Sequence, residues 1–341
     1  MGKNIFAVTM TALLLIGASN AQAVAPQTLQ WRDLLNHPER WPATTTVKND
    51  LQFSQSTMDK GTEVQVYNVL PREVELIAPE GFIFTQTADQ CTLVEDANAF
   101  WSALTEDQKE VTWQKIVSDR SLWPGKITLP SGARFQGLTL EPGEEALFMK
   151  AEGNSVFFTH PKSDMLLSAN QNETDVFERA RALAAIPKEE RPSFLQTVFD
   201  GNLIDAQGQI KPAKKADYYI IYYAASTCPR CKIFSPKFVE YYNQNLADRD
   251  DVEIIVWSTE QPKTSILPYM REHHMPWATV DDKKALATGN AFRNAGVVTQ
   301  IPAIIVTDKY GNEILASRTA PAQTIAKDEQ ALMQLPSVIG Q

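Results

Sequence analysis

Tyr218-Tyr219-Ile220-Ile221-Tyr222-Tyr223 is an unbroken apolar run, and five positions beyond it stands Cys228-Pro229-Arg230-Cys231. A short, continuous apolar run is the pattern of a strand buried on both faces. From Cys231 to Asn245 the spacing turns helical, with Ile233, Phe234, Phe238, Val239 and Tyr242 on one side. The two cysteines therefore fall where a buried strand hands over to a helix. A helix start exposes unpaired N–H groups and the positive end of the dipole, both of which stabilise a thiolate. Arg230 and Lys232 add positive charge, and Pro229 fits a first turn because its missing N–H costs nothing there. The thiolate is the attacking species in disulfide exchange. The spacing lets Cys231 reach back to resolve a mixed disulfide formed at Cys228.

The residues after this junction keep alternating. Val252 to Trp257 reads as a second buried strand, Lys263 to His273 and Asp282 to Asn294 as helices, and Ala303–Thr307 with Glu313–Ala316 as a hairpin across Lys309-Tyr310-Gly311-Asn312. Strand, helix, strand, helix and hairpin make an α/β sandwich with a mixed sheet.

These residues resemble the thioredoxin superfamily, and most closely its tryparedoxin/nucleoredoxin-like branch. The resemblance is carried by Tyr222 to Lys232 around the two cysteines, by Phe234-Ser235-Pro236 and Phe238, by Tyr241-Tyr242-Asn243, by Met275-Pro276-Trp277, and by Val297 to Pro302. It covers about a third of the chain. It implies reversible dithiol–disulfide exchange on a protein or peptide substrate, a partner protein that restores the redox state, and no metal or organic cofactor. It also implies that Pro236 kinks the helix and that Pro302 is cis beside the cysteines. The Ile301 backbone would then hold an extended substrate, with Thr227 and Trp277 bordering the same surface. Two positions depart from the pattern. Thr227 stands where the family usually has Trp, and Tyr222 stands where ordinary thioredoxins have a buried Asp, so the proton acceptor for Cys231 is open.

The other readings of the pair are weaker. A structural zinc site needs about four ligands, and Cys91 is the only other cysteine, while His273-His274 reads as a surface pair. A permanent structural disulfide is disfavoured by the exposed helix start. Cys91 reads as a buried small residue at the start of a strand; the alternative is a third redox partner. His37 and His160 read as structural.

The first 23 residues carry the secretory order: Lys3, an apolar stretch from Ile5 to Gly17, then Ala21-Gln22-Ala23. The apolar core is short for a membrane span. The expectation is an exported, periplasmic or extracellular protein without stable membrane insertion. A net charge of −9 argues against a large nucleic-acid footprint.

Between the leader and residue 188 the pattern is β-rich. Residues 24–124 read as a first β module plus a helical segment from Asp96 to Val117, residues 125–187 as a second module plus a helix, 188–215 as a linker, 216–330 as the α/β domain, and 331–341 as a tail. The two modules read as a degenerate tandem repeat of small SH3-like barrels, with Gly61 matching Gly132 and Gly81 matching Gly153 at a spacing of 71 to 72 residues. Trp31, Trp41, Trp101, Trp113 and Trp123 read as packing residues. The competing function is a binding protein that works through these modules, with the redox domain subsidiary.

Overall fold

The computed structural model describes residues 28–317 and 325–339, except 55, 136, 283–284, 286–287, 290–297 and 299. The leader expected over 1–23, and most of the helix expected over Asp282–Asn294, lie outside the described residues.

The N-terminal half is two copies of one unit. The first opens with the short helix α1 (Trp31–Leu34) and continues through β1 (Thr44–Thr46), β2 (Leu51–Gln52), β3 (Thr57–Met58), β4 (Glu63–Val69), β5 (Glu73–Ile77) and β6 (Ile83–Thr87) to α2 (Leu93–Ala103). Its sheet has the order β1-β4-β5-β6, and β2-β3 is a separate hairpin. After a single turn, α3 (Glu106–Lys109), the second unit opens with α4 (Trp113–Ser118). It then runs β7 (Lys126–Thr128), β8 (Ala133–Phe135), β9 (Leu138–Leu140), β10 (Glu145–Glu152), β11 (Ser155–His160), β12 (Ser163–Asn170) and α5 (Val176–Ala184). Its sheet order, β12-β11-β10-β7 with β8-β9 apart, is the same topology.

The register of the repeat differs from the glycine spacing. Trp31 and Trp113, Leu34 and Ile116, Trp41 and Trp123, Thr46 and Thr128, and Gly61 and Gly143 are each 82 residues apart. The Trp41 Nε1–H donates to the Leu34 carbonyl at 2.7 Å, and the Trp123 Nε1–H to the Ile116 carbonyl at 2.8 Å. Gly61 and Gly143 both turn with positive φ, at 89° and 76°, just before the long strands β4 and β10. Gly132 precedes β8 instead and matches no glycine of the first unit. The expected boundary at 124 therefore cuts through the second unit, because α4 packs with the second sheet: Ile116, Leu122 and Trp123 share a core with Phe148, Val156 and Phe158. The segment expected as helical from Asp96 to Val117, with a second helix capped by Thr105-Glu106-Asp107, is three helices, and Thr105 is the N-cap of α3, its Oγ1 accepting the Gln108 N–H at 3.3 Å. The strand expected from Cys91 is the bridge and turn leading into α2, with Cys91 paired to Val47. SH3-like barrels are not borne out: among the described residues each unit is an open four-stranded antiparallel sheet plus a hairpin, with no closed barrel.

Among the described residues the C-terminal part is built on one seven-stranded mixed sheet. It contains β13 (Leu203–Ile204), β14 (Ile210–Lys211), β15 (Tyr218–Ala224), β16 (Val252–Ser258), β17 (Ala278–Val280), β18 (Ala303–Asp308) and β19 (Glu313–Ala316), in the order β14-β13-β17-β16-β15-β18-β19. β15 lies parallel to β16 and antiparallel to β18. The segment expected as a linker, 188–215, thus contributes two strands and α6 (Phe194–Phe199), whose Phe194, Leu195, Val198 and Phe199 are all buried.

Alternate residues of β15 separate two cores. Tyr219, Ile221 and Tyr223 face the core shared with the second repeat, whereas Ile220, Tyr222 and Ala224 face α7 (Pro229–Asn245). The short α8 (Leu267–Glu272) joins that second core. So does α9 (Ile325–Ile339), through Leu332, Leu335 and Ile339, so the segment expected as a tail is packed helix down to Ile339.

Candidate functional site

β15 ends at Ala224, and Ala225-Ser226-Thr227 turns the chain so that the Cys228 amide donates to the Ala225 carbonyl at 3.2 Å. Cys228 is the N-cap of α7, a position usually filled by Ser, Thr, Asp or Asn because it must accept an amide hydrogen bond. Here sulfur does so: the Cys231 N–H donates to Cys228 Sγ at 3.2 Å. Pro229 takes the first helical position. One turn in, Cys231 is fully buried, while Cys228 is half-buried; both are free thiols. The pair is therefore asymmetric, with one sulfur accessible and one inside.

The Cys228 thiol also lies 3.7 Å from the Ile301 carbonyl oxygen. Ile301 is half-buried, Pro302 is buried, and the bond between them is cis. Thus α7, the β15 turn and the segment leading into β18 meet at one sulfur, although 73 residues separate Cys228 from Ile301. Thr227, Pro229, Arg230 and Lys232 are all exposed around it. Pro236 sits inside α7. Ser226 Oγ donates to Glu260 Oε1 at 2.7 Å, which ties the turn to the end of β16.

Trp277 is not at this surface. It is 3% exposed and packs into the α7 core, its ring 4.6 Å from Phe238 and 5.7 Å from Tyr242. The expected role at the substrate surface is corrected to a packing role: Trp277 immediately precedes β17, whose neighbour in the sheet is the buried β16.

Behind Cys231 lies an arrangement that the motif did not reveal: Tyr222 and Ser235, both within it, are joined to Tyr269, outside it. Tyr222 Oη and Ser235 Oγ are 2.7 Å apart, and Ser235 Oγ and Tyr269 Oη are 2.7 Å apart. This is a three-hydroxyl chain, wholly buried, in the same core as Cys231. Burial drives the Tyr222 hydroxyl well above its ordinary range, with the Cys231 sulfur adding to the rise, and it raises Tyr269 in the same way. Both tyrosines are therefore neutral hydroxyls at physiological pH. The available signal was Ser235 itself, a polar residue between Phe234 and Phe238 on the apolar side of α7, one turn beyond Cys231.

Cys91 lies outside this site, buried in the first repeat, where desolvation raises its thiol pKa and makes it a poor thiolate. Among the described residues no helix is long and apolar enough to cross a membrane.

With this geometry in place, comparisons with known proteins address the C-terminal part. Residues 216–313 match a family model described as thioredoxin-like. No curated protein matches the chain. Among solved structures, thioredoxin from Wuchereria bancrofti is 24% identical, with a TM-score of 0.30 over 41% of this chain and 96% of that one. Tryparedoxin II from Crithidia fasciculata is 25% identical, with a TM-score of 0.30 over 40% and 89%. A secreted disulfide oxidoreductase from Mycobacterium tuberculosis is 12% identical, with a TM-score of 0.30 over 39% and 93%. Residues 216–313 of this chain form a thioredoxin-like domain.

Proposed function

We propose that this protein is an exported thiol–disulfide oxidoreductase that exchanges disulfides with protein or peptide substrates through Cys228 and Cys231. The observation that carries the reading is the asymmetric pair at the start of α7: an accessible sulfur that accepts a backbone N–H, and a buried one a single turn behind it. A backbone donor aimed at sulfur stabilises negative charge there more than it stabilises the neutral thiol.

In the reducing direction the Cys228 thiolate attacks a substrate disulfide, forming a mixed disulfide and releasing one substrate thiolate. Cys231 then loses its proton and attacks Cys228 Sγ, releasing the second substrate thiol. The substrate gains two electrons and two protons, and the Cys228–Cys231 pair becomes a disulfide that a redox partner reduces. The oxidising direction is the reverse. Thr227, Ile301 and Pro302 border the accessible sulfur and would meet the substrate backbone. Arg230 and Lys232 supply positive charge beside it. Export rests on Lys3, the apolar stretch after it and Ala21-Gln22-Ala23.

The deciding measurement is the equilibrium potential of the pair, by thiol trapping in graded glutathione and dithiothreitol buffers. A value near about −270 mV makes the protein a reductant, and one between about −180 and −120 mV an isomerase or oxidant. A pair that neither reduces nor reoxidises in the folded protein overturns the reading.

A further inference from the structure

A groove of about 670 Å³ lies between the two β-repeats, away from the cysteines. Its first wall comes from the α1–β1 connection and from β4, its second from α4 and the ends of β10 and β12. The size suits a small-molecule site. Its lining is unusual for this chain. Among the described residues it contains neither lysine nor arginine, and its one carboxylate, Glu39, is buried and bonded to His37 Nδ1 at 2.8 Å. What it contains is mainly amides and the aromatic rings of Trp41, Tyr67 and Trp113.

Gln171 is 7% exposed, and its Oε1 is buried without a hydrogen-bond partner among the described residues. A buried acceptor left unmade is costly, and one that lines a groove calls for an explanation. The side-chain amides of Asn36, Gln114, Asn154 and Asn172 also line the groove, and none is engaged within the described protein. Asn36 is held in the left-handed region at φ 60°. The half-buried rings of Tyr67 and Trp113 face the same space. Trp113 is fixed by its Nε1–H, which donates to the Gly153 carbonyl at 2.6 Å.

We propose that this groove binds a neutral saccharide of one or two pyranose rings. Each amide presents a donor group and an acceptor side by side. Neighbouring hydroxyls on a sugar ring present the same pairing, whereas a peptide offers one N–H and one carbonyl per residue, spaced along a chain. The C–H face of a pyranose packs on an aromatic ring, which is an apolar body with a polar edge. Among the described residues no lysine or arginine lines the groove, and its one histidine, His37, is bonded to Glu39, so the lining offers no free basic side chain for a phosphate or a sugar acid. The site is built by the duplication, because neither repeat supplies both the Tyr67 wall and the Trp113 wall.

The test is calorimetric and fluorescence titration of the mature full-length chain with cellobiose, maltose and N,N′-diacetylchitobiose, with glucuronate and triglycine alongside. At least one neutral disaccharide is expected to bind saturably and to shift tryptophan emission. The double variant Gln114→Ala, Asn154→Ala removes two amides that hold no internal hydrogen bond. It is expected to bind at least about tenfold more weakly, a loss of about 1.4 kcal/mol, with unchanged thermal stability and unchanged thiol exchange. Trp113→Ala should also abolish binding, and the amide variant decides the matter if that protein does not fold. Three results would overturn the proposal: no saturable signal with any neutral disaccharide up to about 10 mM, equal binding by the amide variant, or saturation by triglycine alone. None of them bears on the Cys228–Cys231 reading.

Discussion

The backbone N–H of Cys231 points at the sulfur of Cys228, 3.2 Å away. The residue that would resolve a mixed disulfide thus also helps to hold the sulfur that forms it. With Cys91 and Cys231 both at 0% exposure, Cys228 is the one cysteine that a reagent reaches. Limiting iodoacetamide on the reduced, folded protein should label Cys228 at least about tenfold faster than either other thiol. Peptide mass mapping reads the order, and unfolding in guanidinium should erase it. Labelling of Cys231 first would reverse the assigned roles.

The hydroxyl chain Tyr222–Ser235–Tyr269 makes a counter-intuitive stability prediction. Tyr222→Phe removes one end and leaves Ser235 bonded to Tyr269, so it should cost about 1 kcal/mol, the net value of one hydrogen bond. Ser235→Ala removes a smaller group but strands two buried tyrosine hydroxyls, and it should cost about 2–4 kcal/mol, because unmade buried bonds carry the full desolvation penalty. Urea denaturation of the reduced proteins ranks them. If Tyr222→Phe proves the more damaging, packing rather than hydrogen bonding dominates there. Tyr222→Phe is also expected to slow the resolving step, read as longer-lived mixed disulfide after quenching, if the chain passes the Cys231 proton.

Glu253 is buried at 5% exposure in the middle of the sheet, where its Oε2 accepts the Lys214 N–H at 2.7 Å. Burial lifts its pKa to about 7, against the opposing pull of that hydrogen bond and of Lys211 and Lys214. The folded state therefore holds this proton more tightly than the unfolded state. Its stabilising contribution is complete below the ordinary carboxylate pKa, declines as pH rises from about 4.5, and is gone above about 7, for a total of about 3 kcal/mol. Glu253→Gln keeps an acceptor for Lys214 and removes the titration. The variant should gain on the wild type between pH 5 and pH 8, measured by denaturant unfolding at each pH. A constant difference between the two proteins across that range would refute this account.

Much of the thioredoxin-like domain is legible because its signals are local and strong. The apolar run of β15, the cysteines at the start of α7 and the β18–β19 hairpin each announce themselves within a few residues. The repeat is less legible, because two features compete. Glycines recur wherever a hairpin turns, so pairing Gly61 with Gly132 is easy and wrong. The spacing that matters is Trp31 to Trp113 and Trp41 to Trp123, whose indoles bond equivalent carbonyls, and that only the packing reveals. The same tryptophans read as one class in the sequence. In the structure Trp41 and Trp123 are buried, while Trp113 is half-buried at a groove. Trp277 shows the opposite failure, in which a segment resemblance suggested a surface role for a core residue. The Ser235 chain and the Gln171 acceptor were hidden because each depends on partners, or their lack, far away in sequence.

One link between the second repeat and the thioredoxin-like domain runs through Gly311 and Arg120. Gly311 sits in the β18–β19 turn at φ 83°, and its carbonyl accepts from Arg120 Nη1. The Arg120 guanidinium also lies 4.2 Å from the ring of Trp123 in the second repeat, and burial lowers its pKa to about 10. A Cβ on Gly311 would come within 2.5 Å of Arg120 Nη1. Gly311→Ala should thus cost the left-handed penalty of about 1–2 kcal/mol and, in addition, push Arg120 off its carbonyl. Gly311→Asn separates the two effects, because Asn tolerates the left-handed region yet carries the same Cβ. If the clash with Arg120 dominates, Asn should be no better than Ala, and both variants should show faster protease cleavage in the mostly exposed 185–192 segment that joins the repeats to the domain. Recovery of wild-type stability by Asn would assign the whole effect to the backbone and leave Arg120 without a part in holding the two halves together.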